Sequence, residues 1–258
     1  MIFPMQKPDR HRRSPSQGNR SAPPRAPGRP APPRSGGRWK VDVLWEDDRL
    51  IAVEKPEGLA VIAPEGSREK TLLSIVSAIM GRGNSKVRAA VVHRIDRDTS
   101  GVVLFAKDGR GKAALMGAWN ELVLERRYSV LVEGAMEARA GRFVSFIKEE
   151  GPSRVRVTGH GDRRGLEAIT DWVLVSSGPR HDLVEALLST GRRHQIRIQF
   201  SEAGHPVAGD SRYGARTDPL GRLCLHAGLL VFRHPFTGET IRIESPVPPE
   251  FERLGRNR

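Results

Sequence analysis

From Trp39 onward, apolar and polar residues alternate in short runs rather than along extended helical stripes. VDVLWEDDRLIAVEKPEG predicts two strands, residues 43–45 and 50–54, joined by a tight acidic turn. Thr71 stands where it can cap a helix whose Leu72, Ile75, Val76 and Ile79 fall on one buried face. Residues 101–106 are a β-branched run suited to an inner strand, and residues 112–122 read as a helix with Leu115, Trp119 and Leu122 on one side. Further strands are predicted at residues 127–132, 142–147, 154–157, 170–175, 183–188, 223–232 and 240–243. Strands outnumber helices about three to one and often follow one another directly, which predicts an α+β domain around a largely antiparallel mixed sheet. That domain is expected over residues 39–258, with Pro246, Pro248 and Pro249 marking where the packed fold ends.

The first forty residues break the pattern. They hold ten Lys or Arg against the single acid Asp9, with nine of the 19 prolines, whereas the other 218 residues are nearly balanced at 33 basic and 29 acidic. Such a composition cannot bury enough apolar surface to offset its ordering entropy, so residues 1–38 are expected to form a disordered basic tail that attracts phosphates without reading a sequence. The net charge of +13 points to an anionic partner, RNA or DNA before a membrane surface. No segment approaches the roughly 18 apolar residues of a membrane span. One cysteine, Cys224, leaves no intrachain disulfide and no Cys-rich zinc site; with no export signal, the cytoplasm is the expected location and a monomer the expected state.

Two clusters carry candidate chemistry. In VVHRIDRDTSGVVLFAKD, residues 91–108, charged side chains are packed between apolar runs, a pattern that suits a cleft on a rigid base as well as a polar hairpin loop. In STGRRHQIRIQF, residues 189–200, the period is ambiguous: Ile196, Ile198 and Phe200 alternate like a strand, yet Thr190 could cap a helix ending at Gly204. A metal site on His93, Asp96 and Asp98 lacks matching ligand pairs elsewhere, and a kinase loop lacks its Asn and Asp-Phe-Gly partners. A third possibility is a carboxylate nucleophile, Asp96, flanked by arginines that keep it ionised and position a phosphate backbone.

HRIDRDTSG, with Asp96 at its centre, resembles the signature of the RluA-type RNA pseudouridine synthases, with Ile95 where Leu is usual. The likeness continues through EDDRLIAVEKPEGLAV, RRYSVLVEG, TGRRHQIRI, GHPVAGDSRYG and RLCLHAGLLVFRHPFTGE in the family's order, over residues 43–247. It implies an isomerase of uridine in structured RNA, needing no cofactor and no metal; family members act on both ribosomal and transfer RNA, and ribosomal RNA is the expected substrate here. It further implies Asp96 as the catalytic carboxylate, Arg197 as its salt-bridge partner, Tyr128 stacked on the uracil with a hydroxyl able to move a proton, and Leu225 packing under the base. Arg94 would enter the RNA where the uridine leaves, and Arg97, Arg192 and Arg193 would bind RNA. His93 and His194 read as structural hydrogen-bonders. Arg193 and Gln199 depart from many relatives, which have Thr or Ser and His there, so local RNA contacts are expected to differ. Many relatives carry a small RNA-binding domain ahead of the catalytic one; the basic tail is expected to substitute for it electrostatically. The alternative from another class is an RNA-binding protein that kept this fold without catalysis.

Overall fold

The computed structural model describes residues 39–256 except positions 65, 83, 85, 152, 153, 160 and 161, so the expected tail over residues 1–38 lies outside the described residues. Eleven strands form one sheet. They are β1 (Val43–Glu46), β2 (Leu50–Lys55), β3 (Ala90–Val91), β4 (Ser100–Ala106), β5 (Val123–Glu133), β6 (Ala140–Glu150), β7 (Arg154–Thr158), β8 (Leu166–Ser177), β9 (His181–Leu188), β10 (Leu225–Arg233) and β11 (Thr240–Glu244). Their order is β1-β2-β4-β10-β5-β9-β8-β6-β7, with β3 beside β4 and β11 beside β10. Every pair is antiparallel except β4–β10, which run parallel through Ser100↔His226 and Ala227↔Gly101. The helices are α1 (Leu72–Gly81), α2 (Gly109–Gly117), α3 (Trp119–Leu122), α4 (Gln195–Glu202) and α5 (Pro249–Leu254). The chain thus forms the expected α+β fold, with strands about twice rather than three times as numerous as helices. No described helix is long and apolar enough to cross a membrane.

The parallel pair is the seam of the sheet. Gly101 sits at φ +112°, and a Cβ there would lie 2.2 Å from the Ala227 carbonyl oxygen. Only glycine lets the two backbones meet this closely.

Several elements differ from their sequence reading for identifiable reasons. Thr71 does cap α1 in a reciprocal capping box with Ser74, but Ile79 on the last turn is exposed rather than buried. The inward position on that helix goes instead to Ser77, whose hydroxyl donates to the Leu73 carbonyl and accepts from the Ala89 amide. The single helix expected over 112–122 begins earlier, at the Asp108 cap, and breaks at Ala118 directly after Gly117. The prolines after β11 do not end the fold. Pro249 opens α5, where a missing N–H costs nothing, and Phe251 of that short helix is fully buried in the core beside Leu183 and Val184.

The ambiguous segment 195–202 is helical. It reads like a strand because α4 is buried on nearly all sides from Gln195 to Phe200, so no polar stripe shows. Its polar residues bond inward. The Gln199 amide donates to Ser145 Oγ and the Ala168 carbonyl and accepts from Thr170 Oγ1, while Gln195 donates to Ile169 O and Thr170 Oγ1. Gln199 is therefore a strut joining α4 to β6 and β8, which corrects its expected place among RNA contacts. Thr190 is not the cap either. Its hydroxyl accepts from the Ile169 amide and donates to Gln195 Oε1, and the residue before the helix is His194 at φ +54°.

Candidate active site

The loop between β3 and β4 carries Asp96, Arg97 and Asp98 and is closed by a turn in which the Thr99 amide donates to the Asp96 carbonyl. A fully buried lysine, Lys55 at the end of β2, anchors it. Lys55 Nζ donates to the carbonyls of Pro56 (2.9 Å), Leu59 (2.9 Å) and Arg97 (2.7 Å). Burial pushes its pKa down to about 7, against the pull of Asp98, Asp96 and Glu57. Three carbonyls matching the three N–H groups of an ammonium favour the charged form more strongly than burial alone indicates. On the far side, Ser100 Oγ receives a bond from Arg222 Nη2 (2.6 Å) and lies 2.8 Å from His226 Nδ1, so β4 is tied to β10 by side chains as well as backbone.

Helix α4 brings the second group. Arg197 is buried; its Nε and Nη2 grip Asp210 at 2.6 and 2.9 Å, and its Nη1 reaches Asp96 Oδ2 at 3.1 Å. Burial works against the guanidinium's charge, but the bonds and charges of Asp210 and then Asp96 outweigh it and raise its pKa. Tyr213 lies beneath, its ring centre 5.1 Å from the guanidinium carbon, and its hydroxyl is 2.7 Å from His194 Nδ1. The other ring nitrogen of His194 is 3.9 Å from Asp96 Oδ2. Burial, only partly countered by Asp96, lowers the His194 pKa to about 4, so the ring is neutral near pH 7. A lone pair facing a carboxylate would be repulsive, which places the proton on Nε2 and makes Tyr213 the donor to Nδ1.

Tyr128 on β5 and Leu225 on β10 share a sheet face. Tyr128 pairs with Ala227 and Val130 with Leu225, so the two side chains are diagonal neighbours within the same core cluster as Ile196 and Phe200 of α4. Tyr128 is half-buried and Leu225 buried. Burial pushes the Tyr128 pKa up to about 12, with Arg126 opposing and the nearby Asp96 charge adding, so at neutral pH it is a phenol.

The remaining arginines are dispersed. Arg94 is exposed, two residues from Asp96, and among the described residues makes no ion pair. Arg97 is held by two bonds to Glu69, at 2.6 and 3.0 Å. Arg192 donates to the Glu167 carbonyl and Arg193 pairs with Glu149, so both turn from the Asp96 loop towards β6 and β8. His93 Nε2 accepts from the Leu104 amide, its ring 5.2 Å from Trp119, and burial lowers its pKa to about 3: it is the structural residue expected. Among the described residues no three His, Cys, Asp or Glu side chains cluster as metal ligands. Sequence reasoning passed over Asp210, Tyr213 and Lys55 as site residues. Asp210 and Tyr213 stood in the GHPVAGDSRYG stretch, where an acid and an aromatic three apart in a Gly-rich loop were the available signal.

A family model described as RNA pseudouridylate synthase matches residues 49–202. The chain is 34% identical over 221 residues to the uncharacterised RNA pseudouridine synthase YhcT of Bacillus subtilis, covering 84% of this chain and 72% of that protein. It is also 34% identical over 231 residues to the ribosomal large subunit pseudouridine synthase D of Xanthomonas campestris, covering 83% and 68%. Among solved structures, the fold is similar to human RNA pseudouridylate synthase domain containing 1, with a TM-score of 0.68 and 22% identity over 83% of this chain and 87% of that one.

Proposed function

The chain belongs to the RNA pseudouridylate synthase family and is an isomerase of uridine in RNA; on that footing we propose that Asp96 is its reacting carboxylate and ribosomal RNA its substrate. The observation that carries the first part is the 3.1 Å contact between Arg197 Nη1 and Asp96 Oδ2. It ties an otherwise accessible carboxylate to a buried cation while leaving Oδ1 without a hydrogen bond among the described residues. Such a carboxylate is aimed, with one oxygen available to the ribose.

The reaction conserves atoms. The C1′–N1 bond breaks, the uracil turns, a C1′–C5 bond forms, and the proton on C5 is lost as N1 gains one. Asp96 serves at C1′ or in the adjoining proton transfer. Tyr128 as a phenol packs against the base and donates a hydrogen bond; with its pKa near 12 it relays a proton rather than acting as a free phenolate. Leu225 provides the apolar floor beside it. Arg94, exposed and two residues from Asp96, would occupy the gap left by an extruded uridine. Likeness to a relative whose name specifies the large ribosomal subunit supports ribosomal over transfer RNA.

The test is a pseudouridine map of total RNA from cells carrying the normal protein or Asp96→Asn. Loss of signal at one or a few uridines supports the assignment and names the substrate. Identical maps with a folded, expressed variant overturn it and leave a non-catalytic RNA-binding role in its place.

A further inference from the structure

One residue before His194, the chain turns away from Asp96 into a crevice of about 240 Å³ between β6, β8 and the approach to α4. Its floor is apolar: Ile147, nearly fully buried, and Leu166, which is 55% exposed although it sits on a strand. Its walls are basic. Lys148, Arg164, Arg192 and Arg193 face it against one carboxylate, Glu149. Lys148 is neutralised by Asp162 at 2.8 Å, and Arg193 pairs with Glu149 at a longer 3.4 Å. Arg192 spends its Nε on a backbone carbonyl, that of Glu167. Among the described residues, neither Arg192 nor Arg164 has a carboxylate partner, so two positive charges stand beside an uncovered apolar floor.

That combination matches a nucleotide. A nucleotide offers a flat, largely apolar base and a phosphodiester, and the crevice offers a floor and two guanidiniums without a carboxylate partner, with Arg192 two residues before His194. We propose that the crevice is a subsite for a nucleotide flanking the target uridine, its base on Leu166 and Ile147 and its phosphate between Arg164 and Arg192. This rests on the RNA-isomerase reading and adds to it a defined path for the strand. Glu149 works against the phosphate and keeps the affinity moderate.

Anisotropy of a fluorescein-labelled single strand of about a dozen uridines, titrated with the full chain over a salt series, tests this. Arg164→Gln and Arg192→Gln each weaken binding by roughly fivefold, the loss expected for one charge-assisted phosphate contact. Together they reduce the slope of log affinity against log salt by about 0.7, the single-strand value for the one phosphate they share. Leu166→Ser weakens binding at every salt concentration without changing that slope. Glu149→Gln tightens binding roughly twofold, the scale of one exposed charge pair, which no misfolded variant would imitate. A double variant with the normal slope, a Glu149→Gln that binds no better, or a wild-type chain that does not hold the probe overturns the subsite. Binding that responds as described while cellular RNA shows no isomerised uridine leaves the crevice standing and removes the isomerase reading. Isomerisation with binding indifferent to all four positions does the reverse.

Discussion

Arg197 gives two nitrogens to Asp210, at 2.6 and 2.9 Å, and only one to Asp96, at 3.1 Å. The buried pair is therefore Arg197–Asp210, and Asp96 docks onto it from a loop. Two carboxylates share one guanidinium, so the three groups together carry a net negative charge. A site of that sign suits a reaction in which the ribose carbon becomes electron-poor as its bond to nitrogen breaks. It also means that the arginine's aim rests on Asp210 more than on Asp96.

Asp210→Asn should be a severe variant although Asp210 touches no substrate in this arrangement. Removing one partner of a buried pair costs about 3 kcal/mol or more, and Arg197 would be freed to rotate towards Asp96. The expected result is a lower thermal midpoint together with a large fall in single-turnover rate. Normal stability and rate in that variant would show that Asp210 does not aim the arginine.

Asp96→Asn should behave oppositely. Arg197 keeps Asp210, and Asp96 is partly exposed, so stability should change by no more than about 1 kcal/mol while activity disappears. Denaturant unfolding beside the isomerisation assay separates the two effects. A variant that is both unfolded and inactive would make Asp96 structural.

Gly101→Ala should fail to assemble the sheet. The added methyl would meet the Ala227 carbonyl at 2.2 Å, backbone against backbone, in a φ region that L-residues avoid. A loss of more than about 3 kcal/mol is expected, read as a collapse in denaturant midpoint or in soluble yield. A near-normal midpoint would mean that β4 and β10 separate without cost.

Acid should destabilise the fold through its buried histidines. Burial is the largest cause for each: it lowers His93 to about 3 and His194 and His226 to about 4, from 6.5 in the unfolded chain. Between those values and 6.5 the unfolded state binds protons that the folded state refuses, so stability is complete above 6.5 and is lost as pH falls towards the folded values. Equilibrium unfolding at a series of pH values should show this. His93→Gln keeps an acceptor for the Leu104 amide and should reduce the slope by about one proton. An unchanged slope would mean His93 is charged in the folded state.

Where local chemistry decides structure, the sequence was readable. Thr71 caps its helix and the β-branched run of β4 forms an inner strand, whereas the helix expected from residue 112 starts instead at the Asp108 cap. Where partners come from far along the chain, it was not. The helical state of 195–202 depends on Gln195 and Gln199 finding Thr170, Ser145 and backbone carbonyls of β8, and no local period encodes those bonds. Asp210 looked like a loop residue because its only distinguishing property is the buried arginine thirteen positions earlier. The resemblance named the candidate reacting residues but not this support beneath them.

The parallel seam between β4 and β10 also sets when the site can exist. Ser100 and His226 are 126 residues apart, and Asp96 and Arg197 are 101 apart. Loops of that length close slowly and contribute little until both ends have docked, so contacts with high contact order belong to the late stage of folding. A chain emerging from the ribosome therefore holds the loop bearing Asp96 well before it holds α4 or the strand that seats Gly101. Until residue 227 is in place, the nascent protein is an RNA-attracting chain with no means of breaking a glycosidic bond.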